Sequence, residues 1–552
     1  MSIRHLSASA AILVALAAGP VAAQGQAPAS PSPDAGRETL RLTLDEAVRR
    51  AVASNPDLAV VRLGTEVEAA RVGESRSAFV PQLSSSVGRS SSATPPSTLL
   101  LGQRGVDVDD WFSSTGVRQR LPWGSGTWSV SYDTARSATN SPFSSFDPSL
   151  QSGFQISFSQ PLLRDRAIDA ARQQYLIARR NEQSADLRYR ESEVQAIAAV
   201  KQAYWTLKAT MANVGVQQRS LDLAQQLARD TRVRVDAGQN PPLDLVQAEA
   251  EAAQRRENLI RARATAEDAE DALRRLIADP ADPGFWRLHL DPIESPTPSG
   301  VAPDIDAAVT KALGERYDLA RAGHDLENAQ TTVKFLDNQK LPDVRLETSY
   351  RGSGLAGTEF VRDGGFPGVI TGTRNRGYGT ALGQVFGNDY PSWSLGVTVS
   401  YPLGRSYEEA GRVRAEAEAR QAQQRIAGLR LKAAETVRRA GRQIRSAAER
   451  VDAARAGAGL AEQRLDTEQR RYDVGLSTTF LVTQAQRDLL QAQVNFLQTT
   501  LDYQSALVNF EAVQQAPPLT AGETVGLSGG NVVLMPPPAP RGIFRQGGGS
   551  LF

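Results

Sequence analysis

The sequence contains no cysteine. That excludes disulfides, thiolate metal sites and a lipid-bearing N-terminal cysteine. Histidine is nearly as scarce: His5, His289 and His324 stand far apart, with no metal-ligand spacing among them. No Walker A sequence occurs, so energy for any transport must come from a partner. Beyond the first two dozen residues no run of about 20 apolar residues appears, which excludes a transmembrane helix. An excess of one charge is missing too, since 62 Lys and Arg oppose 61 Asp and Glu. Near-neutrality argues against nucleic acid as a partner. The stretch Gly526–Gly530 fits G-x-S-x-G but sits in a Pro/Gly-rich tail without the strand and helix a nucleophile elbow needs. No catalytic residue, metal or cofactor is expected, and the chain does not read as an enzyme.

What is present starts with an export signal. Arg4 and His5 precede an apolar stretch, Ala8 to Ala18, that is too short to span a bilayer. Val21-Ala22-Ala23 supplies small residues for cleavage after Ala23. Residues 1–23 therefore read as a secretory signal peptide, and 24–39 as a disordered linker. An exported chain of this kind is periplasmic, outer-membrane or secreted in a Gram-negative host.

The rest is one unit written twice. Asn55–Leu58 matches Arg316–Leu319, and Val80–Leu83 matches Leu341–Val344. Pro161-Leu162 matches Pro402-Leu403, Arg234–Gly238 matches Arg471–Gly475, and Gln247-Ala248 matches Gln484-Ala485. The landmarks keep their order and their offset shrinks slowly along the chain. The copies span 40–279 and 304–515, with an equatorial linker at 280–303 and a disordered Pro/Gly-rich tail at 516–552.

Each copy has the same expected elements. A short helix opens it, capped in the first copy by Thr43 with Glu46 as a capping box. A helix of about 23 residues, Asp57–Phe79 in the first copy, stops before Pro81. Strands separated by a Gly/Ser/Pro loop follow. Then comes a proline-free, alanine-rich run whose apolar residues Val194, Ile197, Val200, Tyr204, Leu207, Met211, Val214 and Leu221 form a coiled-coil seam. A glycine turn at Gly238 or Gly475 leads to a returning helix of about 37 residues. At 1.5 Å per residue the long helix is about 110 Å, and the returning and first helices are about 55 and 35 Å. Two short helices stacked end to end nearly match the long one, so each copy is a rod.

The strands are two-faced. In Trp393–Tyr401 apolar residues alternate with Ser394, Gly396, Thr398 and Ser400. Phe154, Ile156 and Phe158 alternate with Gln155, Ser157 and Ser159, and Trp128, Val130 and Tyr132 do likewise. Such segments bounded by aromatics are the pattern of a membrane β-barrel, with polar residues facing water inside. Trp128, Tyr132, Phe154, Phe158, Trp393 and Tyr401 are the expected girdle against outer-membrane lipid. The first copy also holds an insert that reads as a hairpin turning at Pro122–Gly126. One chain then supplies four strands, or six if the hairpin joins the sheet. Neither closes a channel-wide barrel, so several chains must contribute.

These residues resemble the TolC-like outer-membrane efflux factors. The resemblance is carried by "LTLDEAVRRAVASNPDL", "QPLLRD" and the twin tips "RVDAGQNPPLDLVQAEA" and "RYDVGLSTTFLVTQAQ". It implies a mainly α fold with a membrane β-barrel: a homotrimeric α-barrel and β-barrel duct, the barrel in the outer membrane and the helical tube in the periplasm. The implied partners are a periplasmic adaptor and an inner-membrane transporter, in tripartite efflux or type I secretion. Ala237, Gly238, Val474, Gly475, Leu476 and Ser477 fall at the adaptor-docking tips. Asp244 and Tyr472 match residues that bond across neighbouring helix pairs in the closed tip. Leu481 and Gln484 stand where the family has constriction carboxylates, and Ser477 where it has an arginine. An apolar, amide-lined gate is the expectation. The alternative is a surface coiled-coil adhesin or structural stalk.

Overall fold

The computed structural model describes residues 39–96, 105–279, 282–296, 303–365, 368–404 and 407–515. The expected signal peptide, most of the expected N-terminal linker and the Pro/Gly-rich tail, with Gly526–Gly530, lie outside them.

The first repeat runs β1 (Thr39–Leu42), α1 (Leu44–Ser54), α2 (Pro56–Ser77), β2 (Gln82–Thr94), β3 (Val106–Arg120), β4 (Thr127–Thr139), β5 (Phe146–Pro161), α3 (Ala170–Asp236) and α4 (Pro242–Ile277). After β6 (His289–Pro292) the second runs α5 (Ile305–Glu315), α6 (Tyr317–Gln339), β7 (Asp343–Asp363), β8 (Val369–Arg376), α7 (Tyr378–Gly387), β9 (Pro391–Ser400), α8 (Tyr407–Asp473) and α9 (Thr479–Gln514). The duplication is metrically close. α1 and α5 have 11 residues each, α2 and α6 have 22 and 23, α3 and α8 have 67 each, and α4 and α9 have 36 each. At 1.5 Å per residue the long helices reach about 100 Å.

Local chemistry sets most boundaries. Asn55 caps α2, its Oδ1 accepting from the Asp57 and Leu58 amides, with Pro56 at the first helical position. Asp169 caps α3 through the Arg172 amide at 2.8 Å. The Thr43 capping box is only half made. Thr43 Oγ1 accepts from the Glu46 amide, but the Glu46 carboxylate pairs with Arg49 and Arg50 instead of returning to the cap. The α3 seam is buried at Val194, Ile197, Val200, Tyr204, Leu207 and Leu221. Val214 is only half-buried, and Val216 takes the inward position beside it.

The stretch 280–303 contains more than a linker. A 3-10 turn, Pro283–Arg287, leads into β6, which pairs in parallel with β1 across some 250 residues of chain. Leu42 and Leu290 are fully buried there with Ala47, Val200, Tyr204, Leu273 and Phe285. Tyr204 Oη donates to the Leu42 carbonyl and accepts from the Glu294 amide, both at 3.1 Å. Burial pushes this phenol up to about 12. The buried Glu270 accepts from the Leu290 amide at 2.8 Å, tying β6 to the end of α4.

At the other end of the rods lies a sheet of 7 strands, in order β2-β3-β4-β5-β7-β8 with β9 also on β7. The expected hairpin is in it, as β3 and β4. All pairings are antiparallel. β8 and β9 share one lane: β9 covers β7 from Asp343 to Gly352, and β8 covers it from Gly357 to Asp363. In the gap the chain leaves the lane as α7. Gln384 Oε1 accepts from the Leu355 amide at 2.8 Å, supplying the partner a strand would give. α7 rests directly on the sheet because Gly354 has no side chain; a carbon there would sit 2.0 Å from the Ala381 carbonyl. The sheet of one chain is open, with β2 at one edge and the shared lane of β8 and β9 at the other. No helix among the described residues is long and apolar enough to cross a membrane.

Candidate functional site: the hairpin tips and the two-faced sheet

Both long helices end in the same turn. Gly238 has φ +75° and Gly475 has φ +79°. The Gly238 amide donates to the Val235 carbonyl and Gln239 to Arg234; Gly475 donates to Tyr472 and Leu476 to Arg471. These are paired Schellman motifs, which require a left-handed residue at the glycine. No atom lies within 4 Å of where a Cβ would stand at either glycine, so only backbone strain opposes substitution. Ala237 is the C-cap of α3. Val474 and Leu476 project from the second tip, 70% and 71% exposed. Ser477 is turned back on its own hairpin, where its hydroxyl donates to Glu468.

Just inside the turn, Tyr472 is 1% exposed. It packs with Leu227 and Val482. Its hydroxyl lies 3.3 Å from both Thr231 Oγ1 and Thr479 Oγ1. Arg234 stands over its ring at 4.1 Å and donates to its carbonyl at 3.0 Å. Within one chain Tyr472 therefore contacts Thr231 and Arg234 of the first repeat. It does not touch Asp244 directly within one chain. Asp244 accepts from Asn240 Nδ2 at 3.0 Å, and the same nitrogen lies 3.4 Å from Thr479 Oγ1. A polar relay therefore runs Tyr472, Thr479, Asn240, Asp244.

Leu481 is 41% exposed on the first turn of α9. Gln484, one turn on, donates to Asp488 at 2.8 Å, and Asp488 also pairs with Arg464 at 2.6 Å. The face of Leu481 and Gln484 thus continues into a carboxylate.

Two features of the tip were not read from the sequence. The first is Arg234 against Tyr472; it is the first-repeat counterpart of Arg471, so the internal alignment held the signal. The second is an ion pair between returning helices, in which Glu251 is buried and Arg487 is half-exposed. Arg487 on α9 donates to Glu251 on α4 at 2.5 Å, and Arg255 also pairs with Glu251. Burial pulls the Glu251 carboxyl upward, but the two guanidinium groups outweigh it and hold the group below the usual carboxylate range. Nothing in local periodicity marks that partnership.

In the sheet, register places the expected aromatics on one face. Trp128 is opposite Phe158 and Tyr132 opposite Phe154. Trp393 is opposite Tyr350, and Tyr401 lies just past the end of β9 on the same alternation. Trp393 is 76% exposed and Leu395, Val397 and Val399 beside it are exposed as well. The opposite face carries Ser129 against Ser157 and Ser349 against Ser394, each pair hydrogen-bonded through the hydroxyls. An unburied apolar face backed by a hydroxyl-rich one suits lipid on one side and water on the other.

A family model described as "Outer membrane efflux protein" matches residues 47–279 and 308–513. Comparison with curated proteins finds no match. Among solved structures, a membrane protein from Pseudomonas aeruginosa is similar at 18% identity, with 89% of this chain and 99% of that one covered and a TM-score of 0.61. The outer membrane protein VceC from Vibrio cholerae aligns at 16% identity over 86% and 96% of the two chains, with a TM-score of 0.60. The CmeC outer membrane channel of Campylobacter jejuni aligns at 16% identity over 86% and 85%, with a TM-score of 0.59. At these identities the likeness is one of fold.

Proposed function

The chain belongs to the outer membrane efflux protein family, and from that premise we propose that its twin turns are the adaptor-docking tip and that the contacts around Tyr472 hold the duct shut. The protein is an outer-membrane efflux channel with a helical tube in the periplasm, not a surface stalk. Channels of this family are homotrimers that pair with adaptor proteins and inner-membrane pumps. In the proposal, three open sheets close edge to edge, β9 of one protomer against β2 of the next. Trp128, Tyr132, Phe154, Phe158, Trp393 and Tyr401 then face outer-membrane lipid. Ala237, Gly238, Val474, Gly475, Leu476 and Ser477 meet a periplasmic adaptor, and an inner-membrane transporter supplies substrate and energy.

Tyr472 closes the tip through Thr231, Thr479 and Arg234, and Asp244 joins through Asn240. Leu481 and Gln484, on a face left open within one chain, point to the constriction, where an apolar ring resists wetting. The Glu251–Arg487 pair adds a second tie between hairpins. The observation that carries the proposal is the burial of Tyr472 between the two repeats, which must separate there if the tip is to widen. Planar-bilayer recording tests it. The wild type should pass little current, and the Arg234→Ala, Tyr472→Phe double variant should pass much more. Equal currents would place the gate elsewhere and reduce these residues to helix packing.

A further inference from the structure

The two repeats contribute unequally to the sheet. The second supplies β7 and the shared lane of β8 and β9. The first supplies β2 and β5 and, between them, β3 and β4, which have no counterpart among the described residues of the second. This hairpin is not laid over a finished sheet. β3 pairs with β2 from Gln82↔Arg118 to Thr94↔Val106, and β4 pairs with β5 from Thr127↔Ser159 to Ser137↔Ser149. β2 and β5 are not neighbours.

The faces agree across the hairpin. One register row runs Leu83, Val117, Val130, Ile156, Tyr350, Trp393 through all six lanes. The next row, on the other face, runs Gln82, Arg118, Ser129, Ser157, Ser349, Ser394. A hairpin outside the wall would have no reason to keep this two-sided order. Its turn is anchored as well: Ser125 Oγ donates to the Asp165 carbonyl at 2.6 Å, and Gln160 donates to the Gly124 carbonyl at 2.7 Å, at the head of α3.

We infer that each protomer lays six strands into the barrel wall, so that a trimer closes a barrel of ~18 strands. The inference rests on the channel reading above. Six is even, so β9 of one protomer meets β2 of the next antiparallel, and no parallel seam arises. With strands about 4.8 Å apart and tilted about 40°, such a barrel is about 36 Å across at the backbone. The four strands common to both repeats would close one of about 24 Å by the same geometry. The hairpin brings no helix with it, so the periplasmic tube does not widen in step. The exit in the membrane is then wider than the tube requires, and size selection falls on the tip.

The absence of cysteine makes the test clean. Single cysteines are introduced by Ser131→Cys and Val130→Cys on β4, and Ser394→Cys on β9, and the trimers are reconstituted in liposomes. A charged, membrane-impermeant thiol reagent should label Ser131→Cys and spare Val130→Cys. Equal labelling of the two, whether both or neither, overturns the inference. Ser394→Cys lies on a strand that either count includes and should be labelled; its protection would count against the channel reading itself. Electron microscopy of the unmodified trimer gives an independent count. About 18 strands supports the inference, a closed trimeric barrel of about 12 overturns it alone, and no trimeric barrel overturns both readings.

Discussion

Tyr472→Phe removes one hydroxyl and leaves the ring in place. The lost contacts, to Thr231 and Thr479, are worth about 1 kcal/mol each at most. Arg234→Ala removes the ring's cation and a carbonyl partner, a further ~1–2 kcal/mol. Repeated in three protomers, these losses shift a closed–open equilibrium by a few kcal/mol, roughly a hundredfold or more in open population. Single-channel current and cell sensitivity to a large antibiotic should both rise, and Leu481→Ser added to the pair should raise them further. Glu251 gives a pH dependence of defined sign. A carboxylate held below its ordinary pKa favours the state that holds it at pH above that ordinary value. The contribution is lost as pH falls through the lowered pKa. Resting current through the wild type should therefore increase on strong acidification, below the usual carboxylate range. Glu251→Gln removes the charge and leaves Arg255 without its buried partner, which costs about 3–5 kcal/mol in comparable pairs. It should be leaky at neutral pH and show a flatter response to acid. A wild-type current that does not change with acid would remove Glu251 from the gate.

At the scale of elements, the tips are the most exposed test. A β-branched residue at φ +79° meets no neighbour but strains the backbone by about 1–2 kcal/mol. Gly475→Val should therefore deform the Schellman turn while α8 and α9 survive, since their packing lies elsewhere. Export should fall with trimer yield unchanged. Normal export by this variant would argue against docking at Val474–Ser477. Gly238→Val at the other tip reports whether the two repeats share the adaptor equally. The same reasoning explains why α7 tolerates its position: Gly354 lets its backbone reach the sheet, and the helix carries no charge of its own into the apolar face.

The whole molecule is determined by its open edges. β2 and β9 are unpaired along one side in a single chain, and an unpaired edge cannot persist in hydrocarbon. Detergent-purified protein should therefore be trimeric by mass measurement, with no population of barrel-bearing monomer. A monomer whose own strands close a complete barrel would sink this architecture. A cysteine pair placed on β2 and β9 should link protomers covalently and yield a trimer on a denaturing gel. Recovery of only monomer from an otherwise intact assembly would place a different pair of strands at the seam.

What could be read without a structure is what is encoded locally. The duplication, the helix lengths, the glycine turns and the two-faced strands follow from periods, caps and breakers a few residues apart. The 67-residue helices were visible because proline is absent from them and alanine abundant. The tertiary structure decided which faces meet. Periodicity marks Tyr472 as inward but does not say that Arg234 and Thr231 lie against it rather than Asp244. Nor does it join Glu251 to Arg487, or β1 to β6, since each partner lies more than two hundred residues away in an unremarkable local context. The hairpin is the clearest instance. Its alternation announced two strands, but only their register with β2 and β5 made them part of the wall, because a strand's place in a sheet depends on hydrogen bonds to neighbours that its own sequence does not name.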